Sequence, residues 1–356
     1  MRSVQLFVPA LLSSCAEAID ALEHLPALSR WLSRARYATQ PLPSFEALLC
    51  AQFGLDPHGE LPFAAAALIG EGREPGDAWW MRADPVHLHA ERAELVLVDP
   101  SRLRIRDDEA QALAASLDAH FAEEGLRLYA IAATRWYLRL PEPAALRTTS
   151  LTAASGRSID PLLPRGDDAL IWHRRANEAQ MLLHDHPVNA ERAQRGEPEI
   201  NSVWFWGAGV RPACAQPRAR QWWADDALPV GLARCAQASW RPCPTDAARW
   251  LRDADDAEHA VVLPHGCGAS DNLSGTPARP VGPATQLQSG AAPPAVAAIE
   301  ANWLAPLTDS IRSGVLVEAT LLTHAGNMAH AYRLRRGDLW KFWQRTPRLP
   351  TDAPHA

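Results

Sequence analysis

The chain has 356 residues and a mass of 38.9 kDa, above the roughly 250–300 residues that one core usually serves, so two structural units are expected. A hydrophobic fraction of 47% beside 21% charged residues is that of a globular protein and excludes a disordered, collagenous or coiled-coil chain. The net charge of −6 and pI near 6.1 give no basic field for nonspecific nucleic-acid binding, and no apolar run reaches the roughly 18–20 residues of a membrane span, so neither partner is expected.

The chain opens with a strand-like run over 4–8, followed by Ala- and Leu-rich helical segments and a break at Pro41-Leu42-Pro43 with Ser44 starting a helix. Arg2, the apolar run 6–12 and the tetrad Leu12-Ser13-Ser14-Cys15 imitate a lipoprotein signal. That run is short and contains Pro9, and Gln5 interrupts its approach, so the strand reading and a cytoplasmic compartment are expected. The six cysteines contain no C-x-x-C pair, which fits a reducing compartment and argues against a zinc ribbon or a disulfide scaffold. From Trp79 the character changes. Residues 94–99 read as a strand, and Asp108 with Gln111 as a capping box ahead of a helix that carries Leu113, Leu117 and Phe121 and ends at Gly125. Two strands follow over 126–132 and 135–140, then a helix over 169–184 stopped by His186-Pro187. An apolar strand over 200–206 enters the turn Gly207-Ala208-Gly209. The run 266–294 is rich in Gly, Pro, Ser and Ala and reads as a long loop, a lid or a linker. The remainder predicts a helix with Ile299 and Trp303 on one face, then a hairpin of 315–323 and 329–334 turning at Gly326-Asn327. Strands interleaved with helices make this an α/β or α+β protein.

Chemistry concentrates in few places. His184-Asp185-His186-Pro187-Val188-Asn189-Ala190-Glu191-Arg192 offers two histidines around an acid and an arginine suited to gripping a phosphate or carboxylate. The Gly207/Gly209 turn would let backbone N–H groups approach an anion, though Pro212 stands where a dinucleotide fingerprint needs its third glycine. His87 and His89 share a side of an extended segment without a third ligand nearby. His265 and Cys267 form a Cys–His pair with no orienting group. The 14 tryptophans are read as core anchors, with exposed members as a contact surface.

Asp84-Pro85-Val86-His87-Leu88, Arg135-Trp136-Tyr137-Leu138-Arg139-Leu140, 177–184, 186–192, 200–209 and Asp338-Leu339-Trp340-Lys341-Phe342-Trp343 resemble the RpfE-type regulatory proteins of proteobacteria. More distantly, Tyr137 and Arg139 in one strand, then 148–156, Leu163-Pro164-Arg165-Gly166, H-P-V-N-x-x-R at 186–192, G-x-P at 196–198 and N-S-V-W-F-W-G-A-G at 201–209 look like the substrate domain of archaeal-type cofactor-independent phosphoglycerate mutases. That resemblance implies an alkaline-phosphatase-like α/β core formed by 1–78 and 214–356, with 79–213 as an inserted α+β domain.

The resemblance also implies two divalent metals held by core Asp and His residues around a Ser or Thr nucleophile. Here no Asp-Gly follows the first strand, no D-E-x-G-H run follows Gly209, the final D-H pair is missing, and 148–156 lacks a His-Asp. Asp271, His265, His324 and His330 stay as scattered candidates. The expectation is therefore a cytoplasmic, regulatory pseudoenzyme without catalytic residues, metal or cofactor. It would bind a small phosphorylated or carboxylate metabolite through Arg192, Asn189, His186, Tyr137, Arg139, Gly207 and Gly209, or a protein partner. Two alternatives stand beside it: a phosphomutase or phosphatase with a degenerate site using Mn or Zn, and a protein-interaction module built on exposed Trp.

Overall fold

A computed structural model describes residues 2–12, 20–91, 94–264, 294–344 and 346–348. The Cys15 tetrad, the His265–Cys267 pair, Asp271 and all but the last residue of the 266–294 run lie outside these. The strands are, in chain order, β1 (Ser3–Phe7), β2 (Arg36–Pro41), β3 (Trp79–Glu91), β4 (Glu94–Val98), β5 (Arg127–Ala132), β6 (Arg135–Leu140), β7 (Ser202–Gly209), β8 (Gln221–Trp223), β9 (Ser239–Arg241), β10 (Glu258–Val262), β11 (Glu318–Ala325) and β12 (Met328–Arg335). The chain folds into two compact units, one of 1–42, 217–226 and 238–356, the other of 43–216 and 227–237.

In the first unit seven strands run in the order β2-β12-β11-β1-β10-β8-β9. The opening strand is central, parallel to both β10 and β11, with Leu6 opposite Val261 and Leu321. Such strands are buried on both faces and read as largely apolar runs, which is how 4–8 reads apart from Gln5. The predicted hairpin forms, β11 and β12 pairing antiparallel with Ala325 opposite Met328. The helix Pro26–Arg34 covers the sheet with Leu28, Trp31 and Leu32 inward. Its first turn is held by Glu300, whose carboxylate accepts the N–H groups of Ala27 (2.6 Å) and Leu28 (2.7 Å).

In the second unit β4, β3, β6 and β5 run antiparallel, and β7 pairs β3 on the side away from β6. One face packs Met81, Ala83, Trp136, Leu138, Val203 and Phe205 against the helices Asp107–Phe121 and Ala169–His184. The other meets the helix Phe63–Gly70, whose sequence F-A-A-A-A-L-I-G is apolar all round. Such a helix needs cover on both sides. The helix Ala227–Cys235 supplies the second side so closely that a Cβ on Gly231 would lie 1.7 Å from the Ala66 carbonyl oxygen. This packing draws 43–78 and 227–237 into the second unit, so the division falls at 42/43 where the sequence reading put it at 78/79.

Two local expectations are corrected. The helix after β4 begins at Asp107, and Glu109, not Gln111, reaches back to the Arg106 N–H (3.0 Å). Gly207 and Gly209 do not form a turn after the strand but lie inside β7, which is buried throughout. The register moves from Trp80–Gly209 to Arg82–Trp206, a bulge with Gly207 at φ +67. A side chain there would be strained, and its Cβ would stand 2.7 Å from that of Phe63.

Candidate functional site

The most unusual chemistry of the second unit lies on the β3/β6/β7 face beneath the Phe63–Gly70 helix. Residues alternate along a strand, so Arg82 and Asp84 share that face, with Tyr137 opposite Arg82 on β6 and Trp206 opposite it on β7. Asp84 is fully buried. Its Oδ1 accepts from Arg82 Nη2 (2.5 Å), Arg82 Nε (3.1 Å) and the Trp136 backbone N–H (3.2 Å), and its Oδ2 accepts from Trp206 Nε1 (2.8 Å). The Arg82 guanidinium lies 4.7 Å from the Tyr137 ring centre and 5.4 Å from that of Trp206, a desolvated cation between two aromatic faces. Burial pushes the Tyr137 hydroxyl up to about 12, against the opposing pull of Arg82. That hydroxyl has no hydrogen-bond partner among the described residues. Glu71 and Arg135 form an ion pair at the end of the helix, with Nε to Oε1 at 2.5 Å.

A cavity of about 340 Å³ adjoins this layer, lined by Leu68, Arg73, Glu74, Trp80, Tyr129 and Ile131. Leu68, Trp80 and Ile131 also pack around Tyr137. Trp80 and Tyr129 set their rings 5.7 Å apart. Arg139, opposite Trp80 in the register, is exposed on the same face. The volume lies in the range of small-molecule sites, and the lining offers apolar and aromatic walls with an arginine at the rim.

The structure does not bring the sequence-predicted residues together. Arg192 is completely buried, donating to Glu109 Oε2 (2.7 Å), the Pro198 carbonyl (2.9 Å) and the Leu103 carbonyl (2.5 Å). Its fork is used inside the fold, which corrects the expectation that it grips an anion from solvent. Asn189 is buried too, donating to the carbonyls of Leu183 and Ile200 and accepting the Ile200 N–H. His186 caps the Pro187–Gln194 helix, its Nδ1 accepting the Val188 N–H (3.2 Å) and its Nε2 facing Ser116 Oγ (3.0 Å). His184 is exposed on the preceding helix.

The Gly207 region does bind a carboxylate, but one from this chain. The Ala208 N–H donates to Glu60 Oε1 (3.2 Å), and the Gly207 N–H donates to Thr148 Oγ1 (2.8 Å), which itself donates to Glu60 (2.6 Å). Burial raises the Glu60 carboxyl above its ordinary range despite these donors. Of the predicted set, Tyr137 packs against the cavity residues Leu68, Trp80 and Ile131, and Arg139 stands opposite Trp80; neither lines the cavity itself. Sequence reasoning missed Arg82, Asp84 and Glu60. The signal was available for two of them, since an acid and an arginine two apart in an apolar strand must face the same way and be paired if buried.

Among the described residues no three His, Cys, Asp or Glu side chains converge as a metal-binding group. The two metals that the sequence resemblance implies are therefore not accommodated by these residues. His330 faces Tyr37, with Nδ1 and the hydroxyl at 2.9 Å, and His324 Nε2 stands 2.9 Å from the Leu42 carbonyl. His87 and His89 do share a side of β3, ring centres 6.0 Å apart, with His87 Nδ1 held at the Glu199 carbonyl (2.9 Å). Burial keeps Cys50 and Cys214 as thiols, so neither is an activated nucleophile.

One comparison with known proteins falls within this second unit. Residues 58–189 match the family model of 2,3-bisphosphoglycerate-independent phosphoglycerate mutase. The phosphoglycerate mutase of Methanosarcina acetivorans is 30% identical over 172 residues, 45% of this chain and 40% of that one. Its counterpart in Methanosarcina mazei is 31% identical over 119 residues, 33% of this chain and 30% of that one. The chain thus spans less than half the length of these curated relatives. Among solved structures, a protein of Pyrococcus horikoshii aligns with TM-score 0.49 at 15% identity, over 93% of this chain and 87% of that one. The cofactor-independent phosphoglycerate mutase of Thermoplasma acidophilum aligns with TM-score 0.44 at 15% identity, over 95% and 90%. The chain is a mixed α/β protein with a segment similar to phosphoglycerate mutases of the cofactor-independent type.

Proposed function

We propose that this chain is a non-catalytic, mutase-like regulatory protein of the RpfE type. Its second unit keeps the substrate-domain part of a cofactor-independent phosphoglycerate mutase to bind a small phosphorylated or carboxylate metabolite. The observation that carries the reading is the split between what is kept and what is lacking. The similarity covers 58–189, inside the second unit, while no described set of side chains forms the two-metal centre that phosphoryl transfer of this kind requires. Arg192 and Asn189 serve the fold, so the ligand is assigned to the cavity at the Trp80–Tyr129 wall, with Arg73 of its lining and the exposed Arg139 opposite Trp80 as anion contacts.

Thermal shift with 3-phosphoglycerate, with and without Mn²⁺, tests this, because a ligand that binds only the folded state raises the melting temperature. A metal-independent rise that disappears in R139A is the expected result. No rise would remove the metabolite reading. A rise that needs Mn²⁺ would favour the second reading, a degenerate metal-dependent mutase or phosphatase, which the names of the relatives support; turnover of 3-phosphoglycerate would then decide it.

A further inference from the structure

One segment of the first unit departs from the rest of the molecule in both charge and apolar exposure. Residues 333–348 carry five arginines and Lys341 against a single acid, Asp338, in a chain whose net charge is −6. Within this run Trp340, Phe342 and Trp343 are 72%, 65% and 65% exposed, whereas Trp31, Trp136, Trp172, Trp222 and Trp250 are fully buried. Three exposed aromatics on four residues present roughly 300–500 Å² of ring surface, about the size of the largest patch on an ordinary monomer. Phe342 and Trp343 hold each other edge to face, 5.2 Å apart at 80°.

The backbone beneath this patch is fixed. Asp338 accepts the Arg335 N–H (3.0 Å) and the Lys341 ammonium (2.6 Å), closing a short 3-10 turn, and Arg34 donates to the Leu339 carbonyl (2.7 Å). Cations flank the rings along the chain. Arg36 on the edge strand β2 stands opposite Arg333. Arg333 and Arg335 share Glu318, and Arg336 has no ion pair among the described residues.

We infer that this face docks peripherally on an anionic lipid bilayer, with Trp340, Phe342 and Trp343 entering the headgroup boundary and the surrounding arginines meeting lipid phosphates. Amphipathic rings beside cations are the side chains that favour such a boundary. Each cation near an anionic surface adds attraction that falls off within a Debye length. The contact is peripheral, since no described helix is long and apolar enough to cross a membrane. A single-stranded nucleic acid also pairs cations with aromatics, but it needs open, parallel ring platforms. The near-perpendicular Phe342 and Trp343 rings do not provide them. The inference concerns a face of the first unit, outside the region similar to phosphoglycerate mutases, and does not depend on the proposed metabolite.

Co-sedimentation of the full chain with vesicles tests it, using phosphatidylcholine alone and phosphatidylcholine containing one-third phosphatidylglycerol. Binding to the anionic vesicles only, weakened several-fold by raising salt from 0.1 to 0.5 M, is expected. The triple substitution W340S/F342S/W343S removes solvent-exposed rings and should leave the circular dichroism unchanged while weakening binding by at least about tenfold. Arg336→Glu, which leaves the rings in place, should weaken it by roughly fivefold per charge lost. Equal binding to neutral vesicles, no binding to either, or binding unaffected by both variants would overturn the proposal. So would tighter binding to oligo(dT) than to the anionic vesicles.

Discussion

The two units seal their interiors in different ways. In the first, the sheet around β1 is closed by aliphatic and aromatic side chains, and many buried polar groups are local devices: Thr308 and Ser310 bond back to their own helix, and Glu300 caps a neighbouring one. In the second, charged pairs lie inside the fold, Arg82 with Asp84 under one helix and Arg192 with Glu109 under others. Taking charges from water costs several kcal/mol each, which close geometry only repays. Buried charge therefore shows where a fold tolerates cost for a defined arrangement; Arg82, Asp84 and Glu109 fall within the residues 58–189 that match the mutase family model, and Arg192 lies just past them.

This contrast can be broken by mutation. The largest loss is expected for Asp84→Ala, which leaves the Arg82 guanidinium buried without its carboxylate and strands two N–H donors; about 3–5 kcal/mol should disappear from urea unfolding. Arg192→Met should cost about 3 kcal/mol by the same measurement, because it removes the fork from Glu109 and two carbonyls. A loss below about 1 kcal/mol there would mean that Arg192 is not the internal strut described, and would return it to the list of ligand contacts. In the first unit, Glu300→Ala should cost about 2 kcal/mol, since the two capped N–H groups can turn partly to other acceptors. Gly207→Ala should cost about 1–3 kcal/mol through its positive φ and the contact with Phe63.

The smallest effect is a pH slope. The Glu60 carboxyl is raised in the folded state, so the folded protein binds its proton more tightly than the unfolded chain does. Its contribution is complete below the ordinary carboxylate range and is lost as pH rises through the raised value. Glu60→Gln should flatten stability against pH across that window. An unchanged slope between the two proteins would assign the titration elsewhere.

Much of the fold was legible in the residues. The apolar run at 4–8 is a central parallel strand, the pattern at 135–140 is β6, and Gly326-Asn327 is the hairpin turn, because strand period and turn chemistry are local properties. The candidate site was much less legible. H-P-V-N-x-x-R reads equally well as an anion grip or as an internal brace, and what separates the two is whether acceptors arrive from elsewhere. Glu109 lies 83 residues before Arg192 in sequence, so no spacing rule reveals the pair. The glycines of β7 posed the same question, and Glu60, 148 residues from Ala208, answers it by occupying the backbone N–H groups with a carboxylate of the chain itself.

By itself, then, the sequence determined the α/β alternation, the main strands and the residues able to carry charge, since these follow from side-chain size, period and turn preference. Only the tertiary structure decided which charges are spent inside the fold and which face solvent, because burial and hydrogen-bond partners are set by long-range packing. That packing turned Arg192 inward, drew 43–78 against β3, β6 and β7, and left Trp340, Phe342 and Trp343 outside.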